Sequence, residues 1–192
     1  MGYKVLVLGG ARSGKSEFAQ DLAGRMGERV LFVATAAPDD PEMAERIARH
    51  RALRPTDWRT VEARTGVARA SAAELGDAQV VILDCVTLLA SNLLMEKGDH
   101  LAREALYREI DDLLHTCREV HLVLVSNEVG MGLVPPYPSG RAFRDLLGWA
   151  NRYVAERVDV VLFLLAGIPL VLKGGDVYEG IKGTGSGRHE AG

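Results

Sequence analysis

The amino-acid sequence predicts an α/β fold with a mainly parallel central sheet. Short apolar runs typical of buried strands, such as residues 3–8, 29–34 and 79–83, alternate with segments whose apolar residues recur at helical spacing. This alternation favours parallel strands, because the helix after each strand returns the chain to the end of the sheet where the strands begin. The length of 192 residues suits one domain, and no internal repeat is visible.

The remaining elements are predicted in chain order from the same patterns. Residues 58–62 alternate like a short exposed strand, and apolar runs predict further strands at 120–125, 158–166 and 169–172. Gly27 is expected to end the first helix, and Pro41 and Pro55 to bound the second. The predicted helices cover residues 16–26, 42–53, 65–75, 88–94, 101–117 and 141–157. From Gly174 the sequence is polar and glycine-rich, which predicts a folded domain over 1–173 and a disordered tail over 174–192.

One motif, residues 9–16, lies between the first predicted strand and the first predicted helix. Its sequence GGARSGKS fits the phosphate-binding pattern G-x-x-x-x-G-K-[ST], called the P-loop. Backbone N–H groups of such a loop turn towards phosphate oxygens, and the helix N-terminus adds its positive dipole end. We expect Lys15 to reach the β- and γ-phosphates and Ser16 to hold Mg²⁺. The order strand, loop, helix disfavours a chance lysine in a glycine-rich turn, so the motif predicts binding of a nucleoside triphosphate.

Polar residues follow several of the predicted strands. Thr35, Asp84 and the pair Asn127-Glu128 each stand at the carboxyl end of a strand, where parallel sheets bind their ligands. Asp84 is placed like the metal-facing acid of a P-loop enzyme. The alternative is a cap for the following helix, and both roles could hold together. Contacts of Asn127 and Glu128 with metal, with substrate or with their own loop are equally open.

The predicted helix at 42–53 is unusually basic in its second half. Arg46, His50 and Arg54 are spaced four residues apart and form one ridge, beside Arg49 and Arg51. Arginines in this number favour a polyphosphate site over a merely solvated face. Nearby positive charge favours the neutral imidazole, which is a nucleophile, so catalysis by His50 and a structural role are equally open. The other histidines, at 100, 115, 121 and 189, are expected to be structural or exposed.

Composition gives further limits. The net charge of −3 does not indicate a nucleic-acid or anionic membrane partner, and Cys85 and Cys117 are too few for a disulfide framework. No apolar run reaches transmembrane length, and the N-terminus lacks a signal-peptide pattern, so we expect a cytoplasmic protein. The guanine-binding motif N-K-x-D of switch GTPases does not occur, which argues against that class.

Several segments, taken together, resemble one enzyme family, the bifunctional adenosylcobinamide kinase / adenosylcobinamide-phosphate guanylyltransferases. The resemblance covers roughly residues 4–172, and its most specific part is SNEVGMG at 126–132. The other matching segments are GGARSGKS at 9–16, EM at 42–43, RIARH at 46–50, WRTVE at 58–62, DCVT at 84–87, SNL at 91–93, VP at 134–135 and RAFRD at 141–145.

This resemblance implies a three-layer P-loop NTPase fold similar to RecA, a homotrimer, and two reactions of cobalamin assembly. ATP or GTP first phosphorylates adenosylcobinamide, and GTP then transfers GMP to that phosphate through a GMP-histidine intermediate, for which His50 is the matching residue. Ser16 and Asp84 are the expected Mg²⁺ ligands, from the P-loop motif and from the position of Asp84 at a strand end. The implied nucleotide contacts are Gly9, Gly10, Ala11, Arg12, Ser13, Gly14, Lys15, Ser16, Ala34, Thr35, Ala36, Arg51, Ala52, Leu53, Arg54, Glu62 and Asp84.

Two other functions are compatible with the motifs alone. A plain P-loop kinase would move only the γ-phosphate to a small metabolite and would not use His50. A RecA-like module without catalysis of its own would instead use its nucleotide state to control a partner.

Overall fold

The structure is a computed structural model, and it describes residues 1–36, 45, 48, 51, 52 and 54–183. In this part of the chain the centre is a seven-stranded sheet in the order β3-β2-β4-β5-β1-β6-β7. Neighbouring strands are parallel except for the last pair, in which β7 is antiparallel to β6. The strands are β1 (Lys4–Gly9), β2 (Val30–Ala34), β3 (Arg59–Glu62), β4 (Val80–Asp84), β5 (His121–Asn127), β6 (Val160–Leu165) and β7 (Ile168–Lys173). The prediction of a mainly parallel α/β sheet is confirmed.

Helices cover both faces of the sheet and make the fold three-layered. Alternate residues of a strand point to opposite faces, so Leu6 packs into one half of the core, and Val5 and Val7 pack into the other. The Leu6 side is covered by α2 (Val67–Glu74), α3 (Val86–Lys97), α4 (Asp99–Thr116) and α5 (Pro138–Arg157). The opposite side is covered by α1 (Lys15–Met26) and α6 (Gly175–Gly183).

Burial along the strands explains their sequences. The central strands β1 and β2 are buried throughout, which accounts for their continuous apolar runs. At one edge β3 is largely exposed, as its alternating sequence predicted. At the other edge most residues of β7 are exposed although the strand is apolar, a feature that the pattern of the sequence did not indicate.

The expectation of disorder from residue 174 onwards is wrong for Gly175–Gly183, which forms α6. Tyr178 and Ile181 are each only 5% exposed and pack with the residues of α1. Their spacing of three residues puts both on one helix face, and this contact outweighs the poor helix propensity of the neighbouring glycines. Residues 184–192 lie outside the described part, so the expectation for them stays a prediction.

Candidate nucleotide-binding site

The P-loop runs from the end of β1 to the start of α1. Gly9 has φ 155°, and a Cβ atom on it would lie 2.6 Å from the carbonyl oxygen of Leu164 and 2.7 Å from Ser13 Oγ. Gly14 has φ 86° and is the N-cap residue of α1, where no side chain makes a capping hydrogen bond. The first N–H groups of α1 are therefore not capped by a side chain, which is the arrangement that binds an anion.

The side chain of Lys15 folds back onto the P-loop. It is 8% exposed, and its Nζ donates to the Gly10 carbonyl oxygen at 2.5 Å and to Ser13 Oγ at 3.4 Å. Ser16 follows in the first turn of α1 and is half-buried. The ammonium group and the hydroxyl are thus placed at one helix N-terminus, as the motif predicted, and the geometry suits a polyphosphate.

Strand pairing brings the other predicted site residues to the same end of the sheet, where the carboxyl ends of the parallel strands lie. Gly9 is the register partner of Asn127, and Asp84 is paired with Val125 on the other side of β5. Ala34 is paired with both Asp84 and Glu62. Because neighbouring strands are about 4.8 Å apart, the P-loop and Asp84 are separated by about two strand spacings, roughly 10 Å.

Thr35 fixes the ends of β2 and β4 relative to each other. Its side chain is fully buried, and its Oγ1 donates to the Cys85 carbonyl oxygen at 2.8 Å and accepts from the Cys85 N–H at 2.7 Å. The Thr35 N–H donates to the Asp84 carbonyl oxygen at 3.1 Å. Asn92 extends this network, since its Nδ2 donates to the carbonyl oxygens of Thr35 and Arg64 at 3.1 and 2.9 Å. Sequence reasoning missed Asn92 as a supporting residue.

The alternative role of Asp84 as a helix cap is wrong. Cys85 occupies the N-cap position of α3, and no side-chain capping bond is present there. The charge of Asp84 instead acts on its neighbours, where it raises the pKa of Arg54 against the lowering effect of burial. Burial, followed by the charge of Asp84, raises the pKa of Cys85 to about 11, so this cysteine is a neutral thiol at physiological pH and a poor nucleophile.

Arg54 and Arg51 bring positive charge to this end of the sheet. The guanidinium of Arg54 lies 3.6 Å from the ring centre of the buried Phe32, and its buried Nε has no hydrogen-bond partner among the described residues. Burial lowers the pKa of Arg54, and the charges of Asp84 and Glu62 oppose that effect. Arg51 Nη1 lies 4.0 Å from Glu62 Oε1, an exposed and therefore weak ion pair. The predicted contacts 51, 54, 62 and 84 are thus brought together.

The end of β5 and the first residues after it are held by side-chain hydrogen bonds. Asn127 donates its N–H to Thr87 Oγ1 at 2.7 Å and accepts at its carbonyl oxygen from Asn151 Nδ2 at 2.9 Å. Ser126 Oγ donates to Asn151 Oδ1 at 2.6 Å. Glu128 Oε1 accepts from the Gly130 N–H at 2.5 Å, so of the three roles left open for this residue the structure contains the loop contact.

Part of the predicted site lies outside the described residues, namely His50, Arg46, Arg49 and Leu53. Of the predicted helix 42–53, the described residues Glu45, Ala48, Arg51 and Ala52 have helical backbone. Over the described ranges no three His, Cys, Asp or Glu side chains come together as a metal site. None of the helices found there is long and apolar enough to cross a membrane.

Comparison with known proteins places these residues in a family context. The family model described as cobinamide kinase / cobinamide phosphate guanyltransferase matches residues 5–172. The bifunctional adenosylcobalamin biosynthesis protein CobP of Pseudomonas aeruginosa is 42% identical over 171 residues, covering 88% of this chain and 96% of that protein. The bifunctional adenosylcobalamin biosynthesis protein CobU of Escherichia coli is 41% identical over 180 residues, covering 88% of this chain and 99% of that protein.

A solved structure shares the fold. It is an ATPase from the type III secretion system of pathogenic bacteria, with a TM-score of 0.57 at 12% identity. The match covers 86% of this chain and 52% of the ATPase. Together with the parallel sheet and the P-loop geometry, it confirms the predicted three-layer P-loop NTPase fold.

Proposed function

This chain belongs to the cobinamide kinase / cobinamide phosphate guanyltransferase family, and we propose that it phosphorylates adenosylcobinamide and then transfers GMP to the new phosphate. The observation that carries the proposal is the placement of Lys15, Asp84 and Arg54 at the carboxyl ends of the parallel strands. A buried P-loop lysine suits the β- and γ-phosphates, and the arginines near β2 and β3 provide positive charge further along a bound triphosphate.

In the kinase step, the hydroxyl of the aminopropanol arm of adenosylcobinamide attacks the γ-phosphorus of ATP or GTP. The bond from that phosphorus to the β–γ bridging oxygen breaks, a nucleoside diphosphate leaves, and the hydroxyl proton is released. Lys15 and the N–H groups at the start of α1 stabilise the charge that develops on the phosphate oxygens. Ser16 and Asp84 are the proposed ligands of Mg²⁺, which when bound neutralises phosphate charge.

In the guanylyl transfer, the α-phosphorus of GTP reacts instead of the γ-phosphorus. We assign the nucleophile to His50, whose imidazole attacks the α-phosphorus and displaces pyrophosphate. A phosphate oxygen of adenosylcobinamide phosphate then displaces the histidine and forms adenosylcobinamide-GDP. Lys15 holds the β- and γ-phosphates in both reactions, since in the second they become the leaving pyrophosphate.

The remaining nucleotide contacts are proposals on the same basis. Residues 34–36 end β2 beside Asp84, and Arg51 and Arg54 lie near Glu62. Their position suits the ribose, the base or the α-phosphate of a nucleotide whose terminal phosphates lie in the P-loop. Ala52 and Leu53 are assigned to this group together with the arginines that flank them.

We also propose a homo-oligomer, and a trimer as its state. Apolar residues on and beside β7 are exposed, and an open apolar edge strand favours association with a second copy. These residues are Leu165, Ile168, Leu170, Val171 and Leu172. Since both reactions consume nucleoside triphosphates and both cysteines are free, we expect the enzyme in the reducing cytoplasm.

The test is a product assay with purified protein, Mg²⁺ and adenosylcobinamide, resolved by chromatography and mass spectrometry. With ATP alone we expect adenosylcobinamide phosphate, and with GTP we expect adenosylcobinamide-GDP and pyrophosphate. Accumulation of the phosphate alone in excess GTP would reduce the function to that of a plain kinase. Absence of both corrinoid products from a protein that binds GTP would contradict the proposal.

A further inference from the structure

The loop after β5 carries a cluster of exposed apolar side chains beside the nucleotide site. We define this rim patch as Met131, Leu133, Val134 and Tyr137, which are 81%, 96%, 62% and 73% exposed. A contiguous exposed apolar patch of this kind marks an interaction surface or a ligand-binding groove. The patch belongs to the segment that begins with SNEVGMG, and the proposed reactions do not account for it.

The rim patch begins four residues after Asn127, the last residue of β5, which is paired with the first residue of the P-loop. Asn127 is paired with Gly9, and the Glu128 N–H donates to the Gly9 carbonyl oxygen at 3.0 Å. Four residues of extended chain span at most about 14 Å, so the Cα atom of Met131 lies within about 14 Å of the Cα atom of Asn127. A ligand on the patch that extends by about this distance can therefore reach the P-loop.

The loop is held in shape before any ligand arrives. Arg141 Nη1 donates to the carbonyl oxygens of Pro135 and Pro136 at 3.1 and 2.8 Å, and the Glu128 carboxylate accepts from the Gly130 N–H. Gly140 packs against Pro135 so closely that a Cβ atom would lie 2.8 Å from Pro135 Cβ. A pre-organised apolar surface loses little conformational entropy on binding, which favours recognition of a rigid ligand.

Polar groups lie directly beside the rim patch. A shallow cavity of about 290 Å³ is lined by Gly130, Arg144, Asp145, Gly148 and Trp149. Arg144 and Asp145 form an ion pair at 3.8 Å and offer hydrogen-bond donors and acceptors next to the half-exposed Trp149. An apolar surface with a few polar groups at its border is the usual composition of a small-molecule site.

We propose that the rim patch and the adjoining cavity bind the corrinoid ring of the acceptor substrate. A corrinoid is a broad, rigid ring edged by methyl groups and by side chains that end in primary amides. The methyl groups match the apolar residues, and the amides match Arg144 and Asp145. The aminopropanol arm extends from the ring and can place its hydroxyl, and later its phosphate, towards the P-loop. This inference rests on the proposed function, since it takes adenosylcobinamide as the substrate.

The test compares two double variants of the full-length protein. Leu133→Ser with Tyr137→Ser alters the rim patch, and Met95→Ser with Leu101→Ser is the matched control on exposed apolar residues of α3 and α4. All four sites are exposed, so the substitutions should have little effect on folding. Binding of adenosylcobinamide is measured by equilibrium dialysis, binding of GTP by calorimetry, and oligomeric state by sedimentation.

We expect the rim variant to weaken adenosylcobinamide binding about tenfold or more, as loss of two apolar contacts implies. Its GTP affinity should stay within about twofold, and the control pair should match the unmodified protein in both measurements. Unchanged corrinoid affinity in the rim variant would overturn the assignment. A change in sedimentation, with or without weaker corrinoid binding, would overturn it too, because a second copy of the chain would then cover the patch. If the unmodified protein binds GTP but not adenosylcobinamide, the proposed function itself is wrong. The measurement on the unmodified protein alone shows this, so the two failures are distinguishable.

Discussion

Replacing Thr35 by valine removes one hydroxyl from the site and keeps nearly the same side-chain volume. That hydroxyl pairs both the N–H and the carbonyl oxygen of Cys85, directly after Asp84. Its loss leaves the Cys85 N–H unpaired, which costs about 1–3 kcal/mol. The Cys85 carbonyl oxygen loses one hydrogen bond, worth about 0.5–1.5 kcal/mol, but keeps the one from the Leu89 N–H at 3.1 Å. We therefore expect a loss of about 2–4 kcal/mol in the free energy of unfolding.

Thr35→Ser is the matched control, because it keeps the hydroxyl and removes one methyl group, which costs about 1 kcal/mol. Urea unfolding followed by circular dichroism gives both values, and calorimetry with GTP reports whether the end of β4 has moved. The valine variant should be the less stable of the two and should bind Mg²⁺-GTP more weakly. Equal stability of the two variants, or a valine variant within about 0.5 kcal/mol of the unmodified protein, would refute the reasoning.

Three further predictions address the P-loop, the C-terminal helix and the dependence on pH. Lys15→Ala should lower the kinase and guanylyl-transfer rates on the order of 10²–10³, since it removes one electrostatic stabiliser from both steps; steady-state rates check this, and a near-normal kinase rate would separate the P-loop from that step. Ending the chain after Gly174 should cost about 3–5 kcal/mol, because Tyr178 and Ile181 lose their burial, whereas ending it after Gly183 should cost less than about 0.5 kcal/mol. Urea unfolding of the two truncations gives the difference, and equal stability would show that α6 does not support the core. Burial, with the charges of Lys4 and the N-terminus, lowers the pKa of His121, whose Nδ1 accepts from the Tyr3 N–H. The folded protein therefore holds this ring neutral while the unfolded chain takes up a proton near pH 6.5, so stability should be full above about pH 6.5 and fall below it. Melting temperatures from about pH 7.5 to 5.5 test this, and an equally steep fall in His121→Gln would assign it to other groups.

The parts predictable from sequence are those specified by neighbouring residues. The P-loop combines glycines, a lysine and a hydroxyl within eight positions, between an apolar run and a helical pattern, so its structure follows from local chemistry. Asp84 was correctly placed at a strand end because buried strands are continuous apolar runs and their limits are visible. Its capping role was wrong by one position, since the helix begins after Cys85.

The parts missed from sequence depend on partners far along the chain. The hydroxyl of Thr35 bonds a residue 50 positions away, and Asn92 bonds a carbonyl 57 positions away. No local pattern shows such pairs. The helix α6 was missed for a related reason: its glycines predict disorder, and its burial depends on contacts of Tyr178 and Ile181 with distant residues of α1 and β6. The catalytic role of His50 stays a prediction from the family resemblance and from the basic ridge.

The most direct test of the account is transfer of label from GTP to the protein. With GTP labelled at the α-phosphate, we expect label on the protein that is labile in acid and stable in base, as a phosphorus–nitrogen bond requires. GTP labelled at the γ-phosphate should leave none, and His50→Ala should lose the label together with guanylyl transfer while retaining more of the kinase activity. Label that persists undiminished in His50→Ala, or guanylyl transfer without any labelled protein, would contradict the account.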